Sequence, residues 1–232
     1  MSRALAETNK ASTAEHRRNI TRSIIFIIVA GIPLAILAFA AHTTPYFDFD
    51  LTIARAAQSI TAPWFDLLMR AVGAPGYPPQ VYVEVVAIFL ILWFARARWE
   101  AIGHAFASAG IGAVGLLVKI PVGRHRPDPS LIHVANPNLD GGKMSFTAGH
   151  VESDVAILGF LMYLILRNRD RPWWQNVLLI IFGIQIALIG LSRIYIGEHW
   201  FSDVVGGYLL GAIWLIVTIR FYEWGKGRFF AK

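Results

Sequence analysis

Cysteine is absent from the 232 residues, which excludes disulfide scaffolds, thiolate metal centres and cysteine nucleophiles together. Charge is scarce too: Asp, Glu, Lys and Arg make up 16% of the chain, against roughly 25% in soluble domains. With 56% apolar residues and a mean hydropathy of +0.52, too little polar surface remains to wrap a water-soluble globule. Internal repeats, low-complexity tracts and linkers are also lacking, so a single domain follows. The length accommodates six spans of about 20 residues joined by short loops, but not a membrane bundle plus a sizeable soluble domain.

What is present is a series of long apolar runs. Residues 23–41 carry no charge and are long enough to cross a bilayer as a helix. A cleaved signal peptide is the rival reading, but the run exceeds the roughly 7–15 residues of a usual signal core. Further runs cover residues 77–95, 101–118, 147–166, 173–191 and 200–219. An all-α, integral-membrane six-helix bundle is expected, with both termini on one side. The third run holds Gly103, Gly110, Gly112 and Gly115 among alanines, and the last holds Gly207-x-x-x-Gly211. Both read as helix packing in lipid. Residues 49–72 mix apolar side chains with Asp50, Arg55, Asp66 and Arg70, which predicts one or two interfacial helices between the first and second spans. The expected organisation is a cytoplasmic segment 1–22, a six-span domain 23–222 and a basic cytoplasmic tail 223–232.

The net charge of +6 would suggest nucleic acid in a soluble protein, and its placement argues otherwise. Arg3, Lys10, Arg17, Arg18, Arg22, Arg96, Arg98, Arg167, Arg169, Arg171, Arg220, Lys226, Arg228 and Lys232 all fall on the side of the termini. The positive-inside rule makes that face cytoplasmic, in a bacterial inner membrane, with the bilayer rather than nucleic acid as partner. Arg55, Arg70, Lys119, Arg124, Arg126, Lys143 and Arg193 lie on the opposite face and need another explanation.

Three clusters occupy that outer face. Lys119-Ile-Pro-Val-Gly-Arg-His-Arg126-Pro127 closes the third span, where Pro121, Gly123 and Pro127 break the helix. Its cations either snorkel or bind an anion. Ser145-Phe-Thr147-Ala148-Gly149-His150 precedes the fourth span, with Thr147 as the expected N-cap and free helix N–H groups for an anion. Glu152 and Asp154 then make the first turns too polar for lipid, so they should face the bundle interior or a wet cavity. Ser192-Arg193-x5-His199-x3-Asp203 links the last two spans. A carboxylate four residues after a histidine can accept one imidazole N–H and leave the other nitrogen free to attack. A structural Arg193–Asp203 salt bridge is the alternative. Two histidines with several cations suit phosphoryl transfer, one attacking phosphorus and the other protonating the leaving oxygen.

These motifs, in this order and spacing, resemble the three signatures of the type 2 phosphatidic acid phosphatases, relatives of the vanadium haloperoxidases. The resemblance spans residues 119–203 by motif. It implies a lipid phosphatase with His199 as nucleophile forming a phosphohistidine, Asp203 orienting it, and His150 as proton donor and then base. Lys119, Arg126, Arg193 and the Gly149 amide would bind the phosphate oxygens, with no metal or other cofactor. The lipid phosphate substrates it offers are undecaprenyl pyrophosphate, phosphatidylglycerol phosphate, phosphatidic acid and lipid A phosphates. A phosphotransferase of the same superfamily and a catalytically impaired lipid-binding protein are the competing readings. The departure is in the second motif, where Thr147 and Ala148 replace proline and serine. The Ala148 amide stays available, and either the Thr147 hydroxyl partly substitutes for the missing serine contact or the site works more slowly.

Other polar residues are open. Arg124 and His125 are either auxiliary headgroup contacts or exposed, and Glu198 either tunes His199 or faces solvent. His104 reads as a satisfied interior histidine, and Trp99, Trp173, Trp174 and Trp224 as interfacial anchors. Residues 128–145, with Pro129, Pro137, Asp140, Gly141 and Gly142, suggest an irregular cover that helps set headgroup choice.

Overall fold

The computed structural model describes residues 2–137 and 144–229, which are entirely helix and loop. Asp140, Gly141, Gly142, Lys143 and Lys232 lie outside the described residues. Among these residues eight α-helices follow one another: α1 Ser2–Thr43, α2 Asp48–Gln58, α3 Pro63–Gly73, α4 Gln80–Phe94, α5 Arg98–Val122, α6 Gly149–Arg167, α7 Trp173–Tyr195 and α8 Phe201–Phe229. A 3₁₀ turn, Ala74–Gly76, joins α3 towards α4. The helices α1 and α8 run without interruption through residues 22–23 and 222–223.

Five helices, α1 and α5 to α8, are long and apolar enough to cross a membrane. The expected second span differs. Helix α4 has only 15 residues, about 22 Å at 1.5 Å per residue, against a hydrocarbon core of about 30 Å. A sixth crossing arises only if α3, the 3₁₀ turn and α4 act as one broken span, bent by 59°. The break follows from Pro75, Gly76, Pro78 and Pro79, which together deny the chain a continuous ladder of helical N–H donors. Isoleucines and valines of α1 such as Ile28, Val29, Ile32 and Ile36 are exposed, as a lipid-facing surface requires. The protein is a multi-pass membrane protein.

Small residues let the central helices meet backbone to backbone. A Cβ on Gly207 would lie 2.9 Å from the Ala148 carbonyl oxygen, and one on Gly211 would lie 2.8 Å from that of Glu152. The Gly207/Gly211 pair thus seats α8 against α6, as the spacing predicts. Gly115 on α5 does the same for a side chain, since its Cβ would collide with Glu152 Oε1. Helix α5 runs through Pro121 and stops at Gly123, a left-handed C-cap with φ of 59°. Glycine adopts that conformation without a Cβ penalty. Lys119 therefore belongs to the last turn of α5 rather than to the loop.

One local expectation is corrected. Trp99 is buried and donates through Nε1 to the Tyr222 carbonyl at 2.9 Å, so it ties α5 to α8 instead of anchoring at the interface. Trp173, Trp174 and Trp224 are exposed. His104 is fully buried with Nε2 3.1 Å from the Val85 carbonyl.

Candidate active site

The C-terminal ends of α5 and α7 and the N-terminal ends of α6 and α8 lie at one end of the bundle, and the three motif clusters meet there. His199 sits between α7 and α8 and is 2% exposed. Its Nε2 faces Arg126, whose guanidinium nitrogen is 3.3 Å away and also donates to the Glu198 carbonyl at 2.8 Å. Its Nδ1 faces the opposite way, 3.4 Å from Ser145 Oγ and 3.7 Å from Asp203 Oδ2. Ser145 in turn donates to Asp203 Oδ2 at 2.6 Å. The Asp203 separation is an ion-pair distance, and Ser145 occupies the junction between ring and carboxylate. The donor at Nε2 and the acceptors at Nδ1 favour the tautomer with its proton on Nδ1, so that Nε2 is unprotonated and its lone pair points towards Arg126. Burial pushes the His199 pKa down to about 4, with Asp203 opposing and the Arg126 and Lys119 charges assisting. The ring is neutral at pH 7.

His150, in the first turn of α6, lies within electrostatic reach of Arg193, His199, Arg126 and Lys119, so both histidines share one charged chamber. Its ring meets Tyr77 edge to face at 4.8 Å, and its buried Nε2 has no protein partner among the described residues. Lys119 donates to the Thr147 carbonyl and lies 3.9 Å from Glu152 Oε1. A Cβ on Gly149 would be 3.7 Å from Lys119 Nζ, so the ammonium sits over the start of α6.

Arg193 is fully buried at the end of α7. It pairs with Glu198 at 3.0 Å, not with Asp203, and its guanidinium lies over the Tyr77 ring at 5.1 Å. Glu198 also accepts from the Tyr77 hydroxyl and, at 2.6 Å, from Asn136. It is buried, and it ties the α3–α4 break and the α5–α6 loop to the α7–α8 loop. The break is pressed onto the site by two glycines. A Cβ on Gly73 would fall 1.4 Å from an Arg193 nitrogen, and one on Gly76 would fall 2.0 Å from His150 Cδ2. Beside the cluster opens a cavity of about 350 Å³, bounded by Tyr46, His125, Arg126, Asp128, Asn136, Glu198 and Trp200 among others.

The second motif departs from expectation in three respects. The N-cap of α6 is Ala148, with no side-chain cap, because the Thr147 hydroxyl donates to Glu152 instead. The Ala148 N–H is taken by the Asp203 carbonyl at 3.0 Å, a consequence of the close α6–α8 contact. Neither group is left to replace the absent serine. The free amides of the first turn therefore begin at Gly149. Glu152 is buried, whereas Asp154 is half-buried and accepts from Gln185 at 2.8 Å.

Sequence reasoning left Arg124 open and missed Asp50, Ser145, Tyr77 and Asn136 as parts of the site. Arg124 is buried and bridges Asp203 at 2.6 Å to Asp50 at 2.9 Å. A charge kept two residues before Arg126, and another inside an interfacial helix, were the available signals.

A multi-pass bundle that gathers two histidines and several cations into one chamber at its end defines a membrane protein built for phosphate chemistry. Residues 100–226 match the PAP2 superfamily. The chain belongs to that superfamily. Phosphatidylglycerophosphatase B of Bacillus subtilis (strain 168) is 27% identical over 190 residues, covering 81% of this chain and 90% of that one. Undecaprenyl-diphosphatase BcrC of the same organism is 26% identical over 144 residues, covering 61% and 69%. A crystal structure of a transmembrane PAP2-type phosphatidylglycerolphosphate phosphatase from Bacillus subtilis superposes with a TM-score of 0.71 at 24% identity. It covers 85% of this chain and 96% of that one.

Proposed function

We propose that the protein is a membrane lipid phosphatase that hydrolyses a phosphomonoester or pyrophosphate through a phosphohistidine on His199. The observation that carries this reading is the His199 environment. Its neutral ring turns Nε2 towards the Arg126 guanidinium and Nδ1 towards Ser145 and Asp203. The Nε2 lone pair attacks phosphorus, the bond from phosphorus to the leaving oxygen breaks, and His150 gives that oxygen its proton. Water then attacks the phosphohistidine, His150 takes the water's proton, and the P–N bond breaks to release phosphate and restore His199. Lys119, Arg126, Arg193 and the Gly149 amide hold the nonbridging oxygens and offset the charge that grows on them.

The lipid tail stays in the bilayer while the headgroup enters from the end of the bundle. The cavity beside Arg126 accommodates what lies beyond the phosphate. Phosphatidylglycerol phosphate and undecaprenyl pyrophosphate, the substrates named by two relatives, head the candidate list. Basic residues at the far end of the helices, including Arg17, Arg18, Arg98, Arg167, Arg171 and Arg228, support a cytoplasmic location for the termini and an outward-facing site.

The test is phosphate release from a panel of lipid mono- and pyrophosphates in detergent with EDTA. Release is expected from the wild type and none from His199→Ala of unchanged fold. Release that requires a divalent metal, or that survives His199→Ala, would overturn the mechanism.

A further inference from the structure

Behind Asp203, on the side away from His199, lies a second charged pair. Arg124 follows the glycine cap of α5 and turns into the protein, and its side chain is fully buried. It donates to Asp203 Oδ1 at 2.6 Å, Ser202 Oγ at 2.7 Å, Asp50 Oδ2 at 2.9 Å and the Pro45 carbonyl at 3.1 Å. Asp50, on α2, is also fully buried, and it accepts from the Ser202 amide at 2.8 Å and the Phe47 amide at 3.1 Å as well. Both oxygens of Asp203 are thereby committed. Oδ1 takes Arg124, and Oδ2 takes Ser145 Oγ and, at 2.9 Å, the Trp200 amide.

We propose that Arg124 and Asp50 are positioning residues for the His199 reaction, Arg124 fixing the Asp203 carboxylate and Asp50 cancelling the charge that Arg124 brings with it. This inference rests on the phosphohistidine reading. When Nε2 bonds to phosphorus the imidazole ring becomes cationic, and Asp203 is the carboxylate placed to balance it. Arg124 alone would neutralise Asp203 and remove that balance. With Asp50 present the trio Asp50, Arg124 and Asp203 keeps a net charge of about −1 on simple counting, inside a site where charge is poorly screened. The trio thus supplies geometry through the arginine fork and field through the second carboxylate, which a single ion pair could not do together.

The test separates the two contributions. The groups facing His199 are Lys119 from α5, Arg126 from the loop after it, Ser145 and His150 around the start of α6, and Asp203 from α8. They are left unchanged. Three variants are compared, Asp50→Asn, Arg124→Gln and the double variant, by kcat, KM and the acid limb of kcat/KM. Asp50→Asn leaves an extra positive charge and moves the limb to lower pH. Arg124→Gln leaves an extra negative charge and moves it to higher pH. The double variant restores the charge balance, so the limb returns towards its original position. Its kcat stays depressed about 100-fold, the scale of losing one preorganised contact to a developing charge. KM changes little throughout.

A single variant with an uncompensated buried charge is the one at risk of misfolding. The double variant has none, and its monodisperse elution with full kcat would overturn the inference. Limbs that stay in place, or move the same way, in whichever single variants fold would overturn it as well. Wild-type protein without His199-dependent release would overturn the functional reading and this inference with it. Wild-type release with an unimpaired double variant would overturn this inference alone.

Discussion

The neutral state of His199 can be tested through the pH dependence of the reaction. An ordinary imidazole with a pKa of 6.5 is only about 3% neutral at pH 5, whereas one at about 4 is about 90% neutral there, so the active fraction differs about thirtyfold. The cause is burial, with Arg126 and Lys119 adding to it against Asp203. The measurement is kcat/KM between about pH 3.5 and 5.5, where a phosphomonoester stays a monoanion because its second pKa is about 6. A plateau reaching down to about pH 5 and an acid limb near 4 are expected. The same shift is linked to stability. The unfolded chain binds a proton on this ring below 6.5 and the folded protein does not until about 4, so stability is full above 6.5 and falls as pH drops through that window. The loss is of the order of 3 kcal/mol by pH 4. A rate that keeps climbing about tenfold per pH unit through pH 5.5, with no plateau, would refute the reasoning, because it would mean that the ring is as well solvated as a free histidine.

Gly76→Ala, whose new methyl group must displace the His150 ring, is expected to cut kcat by about 100-fold or more. Gly112→Ala, with nothing within 4 Å of its Cβ, leaves kcat unchanged in the same phosphate-release assay. Glu198→Gln breaks a buried pair with Arg193 and should destabilise the protein by about 3–5 kcal/mol, read as a lowered Tm. Ala148→Ser places a hydroxyl in an apolar cluster formed by Ala54, Val151, Trp200 and Val204, so a lower Tm without faster turnover is expected. Faster turnover would show that the serine hydroxyl reaches phosphate after all.

The spans were legible because lipid demands long uncharged helices, and the three motif clusters because residues 119–126, 147–150 and 193–203 sit at successive span ends. The glycines of α8 carried the packing of α6 against it. The second span was less legible: residues 77–95 are apolar throughout, but Pro78 and Pro79 delay the helix to Gln80. The deeper parts of the site were hidden for a different reason. Arg124 and Asp50 are 74 positions apart, and charged residues in a loop and an interfacial helix read as exposed until the fold brings α2 over the start of α8. Thr147 misled because a threonine before a helix is a natural cap, and only the packed structure sets the buried Glu152 beside it as a stronger acceptor.

The cations proposed to grip phosphate already hold protein oxygens: Lys119 the Thr147 carbonyl, Arg126 the Glu198 carbonyl and Arg193 the Glu198 carboxylate. An incoming headgroup therefore displaces these acceptors, and it also meets Arg193 Nε, a buried donor with no acceptor among the described residues. That exchange lowers the net gain from ground-state capture, so the bilayer's hold on the tail adds to the concentration of substrate at the site.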